Sequence, residues 1–238
     1  MTVPALKAAL EDLLRSRRLQ EDAPPLRGGD RMLRPMPTGV PAVDALLGGG
    51  LPRGELSEIH GPPSSGRTGL VLSFVAACVA RGSLAAWVDP ADRLAPAAAA
   101  AAGVDLARLL WLRGDTRAPR GRGLPEAVAA VATLVGSGLF EAVVLDVAGF
   151  LPHDLGRLPG PTWIRLQRMI ADSPGALLLL AGSHVARGPR GASLELRSGG
   201  PRWSGAPGPG RLLRGLVTEL STGRHGARRA AFELEAFV

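Results

Sequence analysis

From residue 38 onward the apolar positions fall into short blocks separated by glycine, proline and charge, and the blocks are of two kinds. Runs of four to six apolar residues at 84–89, 109–112, 142–146 and 176–181 have the length and punctuation of buried strands, and 55–60, with Leu56 and Ile59, reads as a further short strand. Between them lie stretches with helical spacing. Leu70, Val71, Phe74, Val75, Cys78 and Val79 share one helix face. Residues 92–102 are Ala-rich, and 124–135 continue the helical period. Residues 161–172 place Trp163, Leu166 and Ile170 on one side and Arg165 and Arg168 on the other. A short helix is predicted within 38–54, opened by Pro41 and stopped by Gly48, Gly49 and Gly50.

The last third changes texture. A short strand is predicted at 193–197, followed by a polar loop at 198–210. Residues 215–221 and 229–237 alternate around 222–227, as a hairpin would. Repeated strand-then-helix units that end in a hairpin predict an α/β domain. Its sheet is mainly parallel, flanked by helices, with a C-terminal antiparallel hairpin.

The first 36 residues read as a separate piece: an amphipathic helix over 4–20 and a Pro/Gly/Arg-rich linker, ahead of a core domain at 37–238. Leu6, Leu10, Leu13 and Leu14 form the helix's apolar stripe, which suits a partner surface or the chain's own core equally.

Composition narrows the class. An apolar fraction of 46% over 238 residues supports a sizeable core, and no apolar run reaches membrane-spanning length. The N-terminal segment carries acids and lacks a signal-peptide pattern, so a cytoplasmic location is expected. Net charge is +7, with Lys7 the single lysine among 28 basic residues, and this favours a polyanionic partner such as DNA. Cys78, the single cysteine, excludes an internal disulfide and reads as a core residue. Four scattered histidines without zinc-ligand spacing argue against a metal centre.

The stretch with the clearest chemistry is Gly61-Pro62-Pro63-Ser64-Ser65-Gly66-Arg67-Thr68. It has the G-x-x-x-x-G-[K]-[ST] spacing of a phosphate-binding loop, set between a strand and a helix as that loop requires. Gly61 and Gly66 let the backbone curl so that its N–H groups point inward, over a helix N-terminus that favours anions. Pro62, Ser64, Ser65 and Gly69 complete the candidate phosphate contacts, and the Thr68 hydroxyl is placed to reach Mg²⁺. Arg67 stands where lysine belongs. A planar fork cannot thread to the outer phosphates as a slim ammonium does. Asp146, closing the run 142–146, is the candidate second Mg²⁺ group. Trp163 and Trp203 are expected to pack, and the arginine clusters lack the interleaved aromatics that stack bases.

Residues from about 37 to 147 resemble the core of the RecA recombinase. The resemblance is carried by Thr38-Gly39, Val43-Asp44, Leu46, Gly50-Leu51-Pro52 with Gly54, Glu58-Ile59 and the phosphate loop. Further on, Val88-Asp89, Leu94, Pro96, Gly103-Val104-Asp105, Leu109-Leu110 and Val144 to Asp146 also match. A RecA-like P-loop core is implied, and the departures from it carry the functional expectation. The resemblance puts a water-activating glutamate at Ala91, adenine contacts at Ala95 and Ala98, and a γ-phosphate-sensing glutamine at Ser183. None of these groups is present. The chain therefore resembles the ImuA family, short RecA-like proteins encoded beside an inactive Y-family polymerase homologue (ImuB) and an error-prone C-family polymerase.

That resemblance implies a non-catalytic accessory protein of the SOS response and translesion DNA synthesis, with no required cofactor. Thr68, Asp146 and the loop backbone leave room for weak binding of ATP or ADP with Mg²⁺. DNA contacts are expected from the two loops at 148–161 and 184–193, through Arg157, Arg187 and Arg190. RecA itself is an expected partner, limited at a shared protomer surface. Two alternatives stay open: an active DNA-dependent ATPase or recombinase, and a cell-division inhibitor acting by protein contact.

Overall fold

The computed structural model describes Asp12 and residues 34–115, 123–171, 173–186, 191–222 and 228–235. Apart from Asp12, the N-terminal helix expected at 4–20, with Leu6, Leu10, Leu13 and Leu14, lies outside the described residues. So do Arg187 and Arg190.

Eight strands form one sheet: β1 (Leu56–His60), β2 (Leu84–Asp89), β3 (Leu109–Arg113), β4 (Phe140–Asp146), β5 (Ala176–Ala181), β6 (Ser193–Ser204), β7 (Leu212–Thr222) and β8 (Arg228–Glu235). Their spatial order is β3-β2-β4-β5-β1-β6-β7-β8. The pairs from β3 to β6 are parallel, whereas β6–β7 and β7–β8 are antiparallel. The helices are α1 (Pro41–Leu47), α2 (Arg67–Ala80), α3 (Pro96–Ala101), α4 (Leu124–Ser137), α5 (Pro152–Leu155) and α6 (Thr162–Ile170). The expected mainly parallel sheet, flanked by helices and ending in an antiparallel hairpin, is the observed fold.

The central strands are apolar on both faces because both faces are covered. Trp87, Val144 and Leu178 pack with Val43 of α1, Phe74 of α2 and Ala99 of α3. Leu84, Val143 and Leu177 pack with Leu134 of α4 and Leu166 of α6 on the opposite side. Each apolar strand residue buried this way contributes about 1.5–3 kcal/mol. Pro at the first turn starts α1, α3 and α4, where its missing N–H costs nothing, and left-handed Gly48 and Gly138 end α1 and α4.

Several boundaries differ from the sequence reading, each for a tertiary reason. β4 begins at Phe140, two residues early, because Glu141 is buried in an ion pair rather than solvated. α3 begins only at Pro96: the carboxylate of Asp89 accepts the N–H groups of Arg93 and Leu94 (2.8 Å each) and holds that segment in a turn. The segment 198–204, expected as loop, is strand. Its Ser/Gly-rich residues are held by pairing with β7, with register shifts at Ser198/Gly200 and Arg202/Trp203. Trp203 is 43% exposed rather than packed, its ring 5.2 Å from the Arg211 guanidinium. Trp163 does pack, at the α6 face. Among the described residues no helix is long and apolar enough to cross a membrane.

Candidate functional site

The parallel strands deliver their C-terminal ends to one edge of the sheet, the edge where open α/β sheets bind ligands. β1 ends at His60 and runs directly into the phosphate loop, which ends as α2 begins at Arg67. β4 brings Asp146 to the same edge and β2 brings Asp89. The sheet thus gathers the predicted Thr68, Arg67 and Asp146 from two distant segments.

The loop glycines are set by what lies beneath them. A Cβ on Gly61 would fall 2.2 Å from the carbonyl oxygen of Leu196 in β6. Gly66 caps α2 in the left-handed region (φ 87°), and a Cβ there would meet Thr218 Oγ1 of β7 at 2.3 Å. The hairpin strands therefore press against the underside of the loop, which only glycine permits. Pro62, Pro63, Ser64 and Thr68 are exposed, and Gly66 and Gly69 are half-buried. Ser65 is buried, and its hydroxyl has no partner among the described residues.

Arg67 does not reach outward. Its guanidinium turns back and donates to the carbonyl oxygen of Gly61, and the residue is 7% exposed. Burial lowers its pKa from the ordinary arginine value, opposed by the negative charge of Asp146 and reinforced by Arg93. Asp146 is also buried, and one of its oxygens accepts the N–H of Ala148 at 3.0 Å. Burial raises its pKa to about 6, aided by nearby Asp89 and opposed by that hydrogen bond and by Arg67 and Arg93. Asp89 is committed to structure. One of its oxygens accepts from Arg93 N, Leu94 N and Trp111 Nε1 (3.3 Å), while the other is buried without a partner among the described residues.

At the position expected of a water-activating carboxylate stands the half-buried methyl group of Ala91, closely approached by the backbone of Gly149. Ala95 is exposed and Ala98 half-buried, and neither carries a polar side chain to meet a base. Ser183 is exposed just beyond β5. Arg157 is exposed in the segment after α5, on the connection between β4 and α6. Of the basic loop 113–123, Arg113 is engaged: it grips Asp92 through two hydrogen bonds (2.7 and 2.8 Å) and lies 4.6 Å over the Trp111 ring.

The fold also assembles a group that the sequence reading missed. Two of the four histidines, His60 and His184, come together with Glu58 beside the phosphate loop. Burial lowers the His60 pKa, partly offset by Glu58. The signal in the sequence was Glu58 and His60 spaced two apart on one strand, hence on one face. His184 is 124 residues away and no local pattern links it.

Comparisons with known proteins agree with the geometry. Protein RecA of Symbiobacterium thermophilum is 41% identical over 165 residues, covering 66% of this chain and 45% of that protein. Protein RecA of Rubrobacter xylanophilus is 38% identical over 164 residues, again 66% of this chain and 45% of that protein. The chain thus spans less than half the length of these relatives. The crystal structure of the RadB recombinase has the same fold, with a TM-score of 0.56 at 19% identity over 83% of this chain and 94% of that one. The sequence profile of the RecA N-terminal domain matches residues 27–156, which contain the phosphate loop, Asp89, Ala91 and Asp146, and the chain therefore belongs to the RecA N-terminal domain family.

Proposed function

We propose that this chain is a non-catalytic RecA-fold accessory protein of DNA repair, of the ImuA type, whose nucleotide site has lost turnover. The observation that carries this reading is the Arg67 side chain folded onto its own loop carbonyl. In a working phosphate loop the cation projects to the outer phosphates and stabilises charge as the phosphoryl group transfers. Here it is spent inside the loop. Ala91 removes the second requirement, a positioned base worth about 10²- to 10⁴-fold.

Thr68 and Asp146 are the residues that would hold Mg²⁺. They fit it poorly: the hydroxyl is exposed, and the carboxylate is buried with its charge already shared with Arg67 and Arg93. Weak binding of ADP or ATP through the loop backbone remains compatible with these residues.

A second reading, an active DNA-dependent ATPase, is favoured by the name RecA carried by the relatives. Steady-state phosphate release with and without single-stranded DNA separates the two. The accessory reading expects background release in both. DNA-stimulated turnover abolished by Thr68→Ala would establish the ATPase instead.

The partners proposed are DNA, RecA, the ImuB-type polymerase homologue and its C-family polymerase. DNA contact through Arg157, Arg187 and Arg190 is supported by the net charge of +7 and by the exposure of Arg157. Binding should be sequence-independent and fall steeply with salt. Fluorescence anisotropy across a salt series, on the triple alanine variant and the parent chain, tests this: the variant should lose affinity for all sequences alike.

A further inference from the structure

Glu58 and His60 leave β1 on the same face, the one packed against α4 and α6, as Leu56 does. His184 follows β5, which lies parallel beside β1 with His60 opposite Ala181. Glu58 is 2% exposed, and its two carboxylate oxygens are used differently. Oε1 accepts the N–H groups of Val185 (2.7 Å) and Ala186 (3.3 Å). Oε2 lies 2.5 Å from His184 Nδ1. The His60 ring stands 5.5 Å from the His184 ring, centroid to centroid, tilted by 48°. One ligand atom from each of the three residues lies within 4.8 Å of the others.

We propose that Glu58, His60 and His184 form a binding site for a divalent transition-metal ion, zinc foremost, that ties the segment after β5 to β1. Two imidazoles and one carboxylate are a donor set for zinc and its neighbours. They are not a set for Mg²⁺ or Ca²⁺, which take oxygen ligands. The carboxylate is already oriented: the two backbone N–H groups hold Oε1 and leave Oε2 facing the histidines, as supporting contacts do around metal ligands. Zinc bonds of about 2.0–2.1 Å in tetrahedral geometry set donor atoms roughly 3.3 Å apart. The site must therefore contract along its longest edge and open slightly between Glu58 and His184. The His184 side chain is 39% exposed and free to make that adjustment. Its exposed side leaves a fourth position for water.

A carboxylate that merely caps the turn at 184–186 accounts for Glu58 and His184. It gives no role to the imidazole of His60, which makes no hydrogen bond among the described residues. Metal binding uses all three. It would fix the departure of the chain into 187–190, the stretch bearing Arg187 and Arg190.

The test is equilibrium dialysis of the untagged, chelator-stripped chain against zinc chloride at micromolar free ion, with Co²⁺ absorption as a report of tetrahedral coordination. Expected are about one zinc per chain, a visible Co²⁺ band and a zinc-dependent rise in Tm. His184→Ala and His60→Gln should each weaken binding by about tenfold or more and remove the band. The double variant His153→Ala/His225→Ala, which removes the other two histidines, should bind as the parent does. The proposal is overturned if the parent chain takes up no stoichiometric zinc, or if His184→Ala or His60→Gln retains it. It is equally overturned if the His153/His225 variant is the one that loses it. Circular dichroism of each variant confirms folding. Because His184 is surface-exposed, its variant decides the matter even where the His60 variant unfolds.

Discussion

The guanidinium of Arg67 hydrogen-bonds to the carbonyl of Gly61, so the loop's own cation is turned back onto its first residue. The contact is possible because left-handed Gly66 turns the chain sharply into α2 and brings its first residue back under the loop entrance. Arg67 is nearly buried there, and burial disfavours its charge. The arrangement is held by the nearby charge of Asp146 and by the hydrogen bond itself.

Replacing this fork by a slim ammonium should reopen the loop. Arg67→Lys is expected to tighten Mg–ADP binding by about tenfold, or ~1.4 kcal/mol, measured by titration calorimetry. Turnover should stay at background, since Ala91 still offers no base. Equal or weaker binding in the lysine variant would show that the folded-back side chain is not the obstacle.

The hairpin strands under the loop make a sharp contrast between two glycines. Gly66→Ala combines a left-handed backbone (φ 87°) with a clash on Thr218 Oγ1. It should lose roughly 2–4 kcal/mol by strain and overpacking. Gly136, in the last turn of α4, has nothing within 4 Å of where its Cβ would stand. Gly136→Ala should gain about 0.5–1 kcal/mol. Urea unfolding midpoints of the two variants should move in opposite directions.

Arg53 and Glu141 form a buried ion pair at 2.8 Å, with side-chain exposures of 7% and 0%. Arg53 also donates to the carbonyls of Pro174 (2.5 Å) and Arg34 (3.1 Å). Burial pushes the Glu141 carboxyl up, but neighbouring donors and the charges of Arg53 and Arg81 outweigh it and hold the pKa below its ordinary 4.5. A depressed folded-state pKa stabilises above the unfolded value and loses that stability as pH falls through the folded one. The denaturation midpoint should therefore fall as pH drops below about 4.5. Glu141→Gln should flatten that part of the profile. Arg53→Ala leaves a buried carboxylate uncompensated and should cost roughly 3–5 kcal/mol at neutral pH.

Cys78 is fully buried on α2, and burial raises its thiol to about 12. A thiol that is both inaccessible and protonated does not react. An aromatic disulfide reagent at pH 8 should find no thiol in the native chain and one in denaturant. Prompt native-state labelling would place Cys78 outside the core.

The course of the chain through α2, β2, β4 and β5 was legible from local pattern, because a strand buried on both faces is largely apolar, whereas β1, with Ser57, Glu58 and His60, was legible from its place ahead of the loop. The loop between β1 and α2 was equally legible, since its glycine spacing is a backbone requirement written in adjacent residues. So were the alanines at Ala91, Ala95 and Ala98, because a side chain without a polar group shows at its own position. What the sequence concealed were groups whose partners are remote. Glu141 fell outside the strand expected at 142–146, and its partner Arg53 is 88 residues away. The Ser/Gly stretch 198–204 looked like loop, because its strand conformation is imposed by pairing with β7. Glu58, His60 and His184 converge only because β5 lies beside β1, an adjacency belonging to the sheet order. The sequence by itself thus determined the elements and the residue types at the candidate site, both local consequences of residue type and spacing. Only the tertiary structure decided which distant charges and imidazoles meet, because hydrogen bonds and ligand bonds act over a few ångströms in space whatever their separation along the chain.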